Sequence, residues 1–297
     1  MARNPVLLPI LATVLGVGFF SVMDGVIKSA SIAIGAYSAY FLRCTIGFVM
    51  VAPIWFALRG KWPQRHVMRV HLIRGVVVAF MGLSFFYALV RLPLAESIAL
   101  SFIAPLIALY LAAVLLGETV SRKAIIAAVL GFAGVLTIIG GKLGRETMDA
   151  DAILGLASLL LSAVLYAWNL ILQRQQALLA DPIEVSLFQN GIVACVLLAG
   201  TPFLLRIPSG PVWIELTIGA VLAVLAVQFL SWAYARAEAQ ALVSIEYTGF
   251  LWAALVGWLY FGEAVTAATV TGAILIVVGC LIASRPDRPA PPEITTL

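Results

Sequence analysis

The chain is expected to fold as an all-α polytopic membrane protein, ten transmembrane helices forming two inverted five-helix repeats around a central cavity. Three observations predict this class. The first is composition: 63% of residues are hydrophobic, 11% are charged and the mean hydropathy is +1.09, whereas about a quarter of residues in soluble domains are charged. The second is spacing, because apolar stretches long enough to cross about 30 Å of hydrocarbon follow one another with short connections. The third is repetition. A single offset of 145 residues lays Gly117-Glu118 on Gly262-Glu263, Arg91 on Arg236 and Gly134 on Gly279 without a gap.

Hydropathy divides the chain into ten spans, at 6 to 27, 36 to 58, 72 to 91, 94 to 116, 121 to 140, 152 to 174, 183 to 204, 213 to 235, 239 to 261 and 266 to 284. Spans three and four are separated at Leu92-Pro93, since proline disfavours helix in the residue before it. The split near Glu238 rests on the repeat. The first span resembles a signal peptide but is read as retained, because its repeat mate is an internal span. The organisation expected is a first repeat at 1–140, a connecting loop at 141–151, a second repeat at 152–284 and a cytoplasmic tail at 285–297. Five spans per copy is an odd number, so the second copy enters the membrane upside down. Inverted repeats of this kind recur in secondary transporters, where two halves exchange conformations about a site near the midplane.

Basic residues set the direction. Arg59, Lys61, Arg65, Arg69 and Arg74 are assigned to the loop between spans two and three, Arg122 and Lys123 to the next loop on that side, and Arg3, Arg285 and Arg288 to the termini. Those segments are expected in the cytoplasm, which places both termini inside. The formal charge of +4 is a consequence of topology and gives no reason to invoke a nucleic-acid partner.

Several chemistries are disfavoured. Cys44, Cys195 and Cys280 sit singly in apolar runs without ligand spacing, and His66 and His71 are read as members of one basic loop, so no metal is expected. Gly141-Lys142 fails as a phosphate loop, because Leu136 stands where the earlier glycine is needed and Leu143 where Ser or Thr is needed. No cofactor is expected. An enzyme reading lacks a nucleophile–base pair or a recognisable motif.

Polar side chains inside apolar spans cost about 2.5 to 3.5 kcal/mol each when ionisable, and therefore mark candidate sites. Glu246, beside Tyr247 in span nine, is the first candidate for a substrate or ion contact; a buried carboxylate held by a structural neighbour is the alternative. Asp24 and Arg43 share one half of the bilayer, so they either pair with each other or Asp24 pairs locally with Lys28 at i+4. Asp24 and Glu246 are the candidates for ion coupling. Ser84, Ser101, Asn169, Gln189, Asn190 and Gln228 complete the polar set, as cavity groups or as interhelical hydrogen-bond glue. Phe80, Tyr87, Trp168 and Trp232 add aromatic cavity walls. Pro105 removes a backbone hydrogen bond within span four and is the candidate hinge. Spans five and ten carry small residues (Ala127, Gly131, Gly134, Gly272, Gly279 and Ala283) and read as scaffolding, which would also support a homodimer. The Gly-Glu pairs end spans four and nine, with Ser121 and Thr266 placed to cap the next helix; they read as structural corners.

Two fivefold repeats closing on Leu-Gly-Glu-Thr-Val-Ser (116–121) and Phe-Gly-Glu-Ala-Val-Thr (261–266) resemble the drug/metabolite transporter superfamily, EamA-like branch, over nearly the whole chain. Within it the chain looks most like the YddG-like exporters of aromatic amino acids and methionine in the bacterial inner membrane. The resemblance implies a basket of spans around a central cavity, with spans five and ten outside it. It also implies transport by alternating access without ATP, with a small-molecule substrate and the lipid bilayer as partners. Arg43 and Glu246 suit the carboxylate and ammonium of an amino acid, while the aromatics also suit S-adenosylmethionine or riboflavin; threonine and homoserine are further cargoes of related members.

Overall fold

A computed structural model describes residues 7–104, 107, 122–143, 150–237, 242 and 245–283. The principal helices match the ten expected spans in order. They are α1 (Leu7–Ile34), α2 (Ala36–Ala57), α3 (Arg65–Leu89), α4 (Leu94–Ser101), α5 (Arg122–Leu143), α6 (Ala150–Leu179), α7 (Pro182–Leu198), α8 (Gly210–Tyr234), α9 (Gly249–Phe261) and α10 (Ala267–Ala283). No strand occurs among the described residues. Five of these helices, α1, α2, α3, α6 and α8, are each long and apolar enough to cross a membrane alone. Leu8, Val49, Phe132, Leu161, Ile214 and Leu259 are exposed on the outside of the bundle, as an apolar solvent allows.

Helix packing carries the duplication into three dimensions. The main partners are α1 with α8, α3 with α6, α2 with α7, α4 with α9 and α5 with α10. Exchanging the two halves moves each helix five places along, turning the α1–α8 contact into α6–α3 and returning the other three pairs to themselves. The packing therefore has the pseudo-two-fold character that the sequence repeat requires.

Several boundaries differ from the hydropathy reading. Helix α3 begins at Arg65 instead of 72, because nothing after Pro63 breaks a helix, and this draws His71 and Arg74 out of the expected loop into the bundle. Helix α4 is only eight residues long and opens into turns at Phe102 and Ile103; Pro105 and the Gly117-Glu118 corner lie outside the described residues. Span seven breaks at Ala199-Gly200 and resumes as a single turn, Thr201–Leu204.

The corner after α9 is described fully. Gly262 adopts φ 62 in the left-handed region, ending the helix with the C-cap geometry glycine favours. Thr266 Oγ1 accepts the Thr269 N–H at 3.0 Å and so caps α10, as the sequence indicated. At the α5–α10 contact, a Cβ placed on Gly134 would lie 2.6 Å from the carbonyl oxygen of Gly272 and 2.6 Å from the Ile276 side chain. Backbone cannot yield as a side-chain tip can. Gly134→Ala is therefore expected to lower stability by about 1–3 kcal/mol, read from unfolding in detergent micelles. Gly140→Ala, on the same helix with open space at its Cβ, should leave the transition unchanged or raise it slightly.

Candidate functional site

A cavity of about 230 Å³ opens at the centre of the bundle, lined by α1, α2, α3, α4, α6, α7 and α8 and by the segment leading into α9. Much of its wall is apolar, supplied by Val17, Phe20, Met81, Phe85, Ile98 and Phe102. Set into that wall are two carboxyl groups and two guanidinium groups, those of Asp24, Glu246, Arg43 and Arg74.

Each is positioned by its own helix. Glu246 accepts hydrogen bonds from Tyr166 Oη at 2.6 Å and Tyr234 Oη at 2.5 Å, so α6 and α8 clamp the carboxylate from two sides. Arg43 reaches Cys44 Sγ at 2.9 Å and lies 5.1 Å from the centre of the Tyr40 ring, while its buried Nε has no hydrogen-bond partner. Arg74 donates from Nε to Asn169 Oδ1 at 3.0 Å, from Nη2 to Gln173 Oε1 at 3.2 Å, and from Nη1 to Gln176 Oε1. Its partners are neutral amides. Asp24 is 8% exposed and belongs to the same wall. No salt bridge reaches any of the four among the described residues.

Of the residues singled out in the sequence, Asp24, Arg43, Ser101, Asn169, Gln189, Asn190, Glu246 and Tyr247 share this cavity. Gln189 presents a buried Oε1 without a partner. Phe80 and Trp168 do not belong to it. They are 52% and 51% exposed on the bundle exterior, a placement hydrophobicity permits because lipid solvates an aromatic ring as readily as a pocket does. Ser84 lies outside the lining, where its carbonyl accepts the Ser158 hydroxyl at 3.0 Å. Tyr87 and Trp232 are covered by Arg91 and Arg236 at 3.7 and 4.3 Å from their ring centres. Gln228 donates to Pro182 O at 3.1 Å and Ser186 Oγ at 2.8 Å, and so ties α8 to α7.

Neither Arg74 nor Gln173 is among the sequence candidates. Arg74 reads as a loop charge in the sequence, because a basic residue near a span boundary is indistinguishable from a topogenic one by hydropathy. A legible signal did exist in α6. Ser162, Tyr166, Asn169, Gln173 and Gln176 recur at intervals of four and three residues, a polar stripe down one face of an otherwise apolar helix. The first four line the cavity.

Lys28 does not pair with Asp24. Its ammonium forms a salt bridge with Glu263 and donates to Leu92 O at 2.9 Å. Glu263 also accepts the Leu94 N–H at 2.7 Å through its other oxygen, capping α4. The opposite end of the bundle repeats part of this arrangement, since Arg174 Nη1 donates to Ala237 O at 2.9 Å. Ala237 is the repeat mate of Leu92, and Arg174 lies one residue beyond the mate of Lys28. A cation thus clamps the same turn carbonyl in each half.

Comparison with known proteins agrees with this architecture. The EamA-like transporter family matches residues 7–140 and 153–285. The pseudopaline exporter of Pseudomonas aeruginosa strain UCBPP-PA14 is 28% identical over 292 residues, covering 97% of this chain and 98% of that protein. A riboflavin transporter of Rhizobium johnstonii is 27% identical, with 90% and 87% covered. An S-adenosylmethionine uptake transporter of Rickettsia felis is 23% identical, with 93% and 94% covered. A solved crystal structure superposes with a TM-score of 0.63 at 20% identity, covering 92% of this chain and 96% of that one, which supports the fold.

Proposed function

We infer that this chain, which belongs to the EamA-like transporter family, carries a small zwitterionic metabolite through the central cavity, with amino acids bearing apolar side chains as the favoured cargo. Membership makes the protein a membrane transporter; the substrate and the roles of individual residues are our reading. One observation carries it. Two cations and two carboxylates line a single cavity, and none of the four forms a salt bridge among the described residues.

Burying an ion without a counter-ion costs several kcal/mol. Two arginines and two carboxyl groups around one space, none of them in a salt bridge among the described residues, are best explained by a ligand that brings its own charges. A carboxylate would be received by the two arginines, at the free Nε of Arg43 and at Arg74, an ammonium at Glu246 or Asp24, and an apolar side chain against Met81, Phe85 and Phe102. Riboflavin has no ionised groups to match these poles. The reading extends to alternating access in the bacterial inner membrane, with both termini cytoplasmic and export as the direction. Arginine and lysine distribution supports the orientation, and the likeness to an exporter over nearly the full length supports the direction.

The test is competition binding on purified protein in nanodiscs. Phenylalanine and methionine are expected to bind, whereas their methyl esters and N-acetyl derivatives, each lacking one charge, should lose about 10-fold or more in affinity. Riboflavin binding without amino-acid binding would overturn the proposal.

A further inference from the structure

Beside the cavity, and joined to it through Arg74, lies a continuous line of buried polar side chains from three helices. Glu184 in the first turn of α7 meets His71 Nε2 of α3 at 3.0 Å, His71 Nδ1 meets Gln176 Nε2 of α6 at 2.5 Å, and Gln176 Oε1 accepts from Arg74 Nη1. His71 and Gln176 are 0% and 1% exposed. Phe188 stacks on the imidazole with ring centres 4.8 Å apart. Arg74, at the other end, lines the cavity.

The chemistry of the donors fixes every proton in this line. Arginine has N–H groups and no acceptor, so Gln176 must turn its oxygen toward Arg74 and its NH₂ toward His71. His71 Nδ1 must then accept. The imidazole proton therefore sits on Nε2 and is donated to Glu184. Nothing in this arrangement tolerates a second proton. A proton arriving on Nδ1 would face the NH₂ of Gln176, donor against donor, and the amide must rotate to present its oxygen to the ring. That rotation turns the NH₂ toward Arg74 Nη1, which loses its acceptor.

We propose that His71 is a protonation switch acting through Gln176 on Arg74, so that a proton on the imidazole frees one edge of the Arg74 guanidinium to bind a carboxylate in the cavity. His71 and Gln176 are positioning residues, and Arg74 is the anion contact. The charged groups that face His71 are Glu184 from α7 and Arg74 from its own helix, while α6 offers the neutral Gln176. Protonation leaves Nε2–H on Glu184, and that contact becomes a charged pair. Arg74 keeps Asn169 and Gln173 as partners, so it turns at one nitrogen without losing its place. The half-repeat mates of His71 and Gln176 are Leu216 and Ser31. The device therefore exists in one half only and acts on one side of the transport cycle.

Cargo chemistry enters through the preceding reading, so the test has one arm that needs no cargo. In full-length protein in nanodiscs, ¹⁵N spectra of the two histidines, separated with His66→Gln, should show His71 as the Nε2–H tautomer in the neutral form. The side-chain N–H signals of Arg74 should shift with the His71 titration and stay fixed in His71→Gln. In the second arm, phenylalanine and methionine should bind about tenfold more tightly as the pH falls through that titration, whose midpoint the ¹⁵N spectra supply. His71→Gln, whose amide can still accept from Gln176 and donate to Glu184, should remove the step of the pH profile that follows the His71 titration. Arg74 signals that ignore His71 titration, or a binding pH profile identical in the unsubstituted protein and in His71→Gln, would overturn the switch. Coupled Arg74 signals without amino-acid binding would support the switch and sink the cargo reading alone.

Discussion

Glu263→Gln is expected to lower the free energy of unfolding by about 3–5 kcal/mol, the range for breaking a buried ion pair from one side. The side chains of Lys28 and Glu263 are 6% and 17% exposed, so the ammonium left behind has little water to replace its partner. Glutamine can still accept the Leu94 N–H, which separates loss of the charge from loss of the cap. Adding Lys28→Met to Glu263→Gln should therefore recover part of the stability, because it removes the stranded charge. A double-mutant cycle by chemical unfolding in micelles measures the coupling. Additive effects would show that the two side chains are independent. The contact ties α1 to the α3–α4 turn and to the corner after α9, joining both halves at one face of the bundle. Its loss should be felt by the whole fold.

This corner also shows how far the sequence could be read. Gly262-Glu263 was legible as a helix ending because its mate stands 145 residues earlier and because Gly and Thr have fixed roles at helix ends. The partner of the carboxylate was not legible. Lys28 lies four residues from Asp24, a spacing that favours a local pair, and nothing in a linear chain reveals that Glu263 lies nearer. Tertiary geometry won over local spacing.

The same division holds in the cavity. Glu246, Asp24 and Arg43 stood out because a charge inside an apolar span is costly wherever it points. Phe80 and Trp168 could not be placed by that reasoning, since an aromatic ring is cheap facing either lipid or a pocket. Arg74 was missed for the converse reason: close to a span end, its cost looked small. Only the helix start at Arg65 and the amides of α6 reveal how deeply it is set. Charge near the middle of a span is informative, whereas charge near an end needs the partner helix to be interpreted.

Glu246→Gln is the substitution expected to damage function most while leaving the fold intact. The carboxylate accepts from Tyr166 and Tyr234, and both phenols are donors at those contacts. An amide of the same size keeps one acceptor and turns an NH₂ against the second hydroxyl. It also removes the negative charge. If Glu246 receives a substrate ammonium, affinity for phenylalanine or methionine should fall about 10- to 100-fold, the equivalent of about 1.5–3 kcal/mol for a charged hydrogen bond. Tyr166→Phe and Tyr234→Phe should each produce a smaller loss, since each leaves the charge and one donor in place. Unchanged affinity in Glu246→Gln would remove the ammonium assignment. Coupling requires a separate comparison in proteoliposomes, with transport driven by a pH gradient set against exchange of labelled for unlabelled cargo. A proton carrier, once neutralised, should lose the response to the gradient and retain exchange. Applying the comparison to Glu246→Gln and Asp24→Asn separately identifies which carboxylate moves the proton, because the two line one cavity but only Glu246 is held by phenol donors. A full response to the gradient in both variants would mean that neither does.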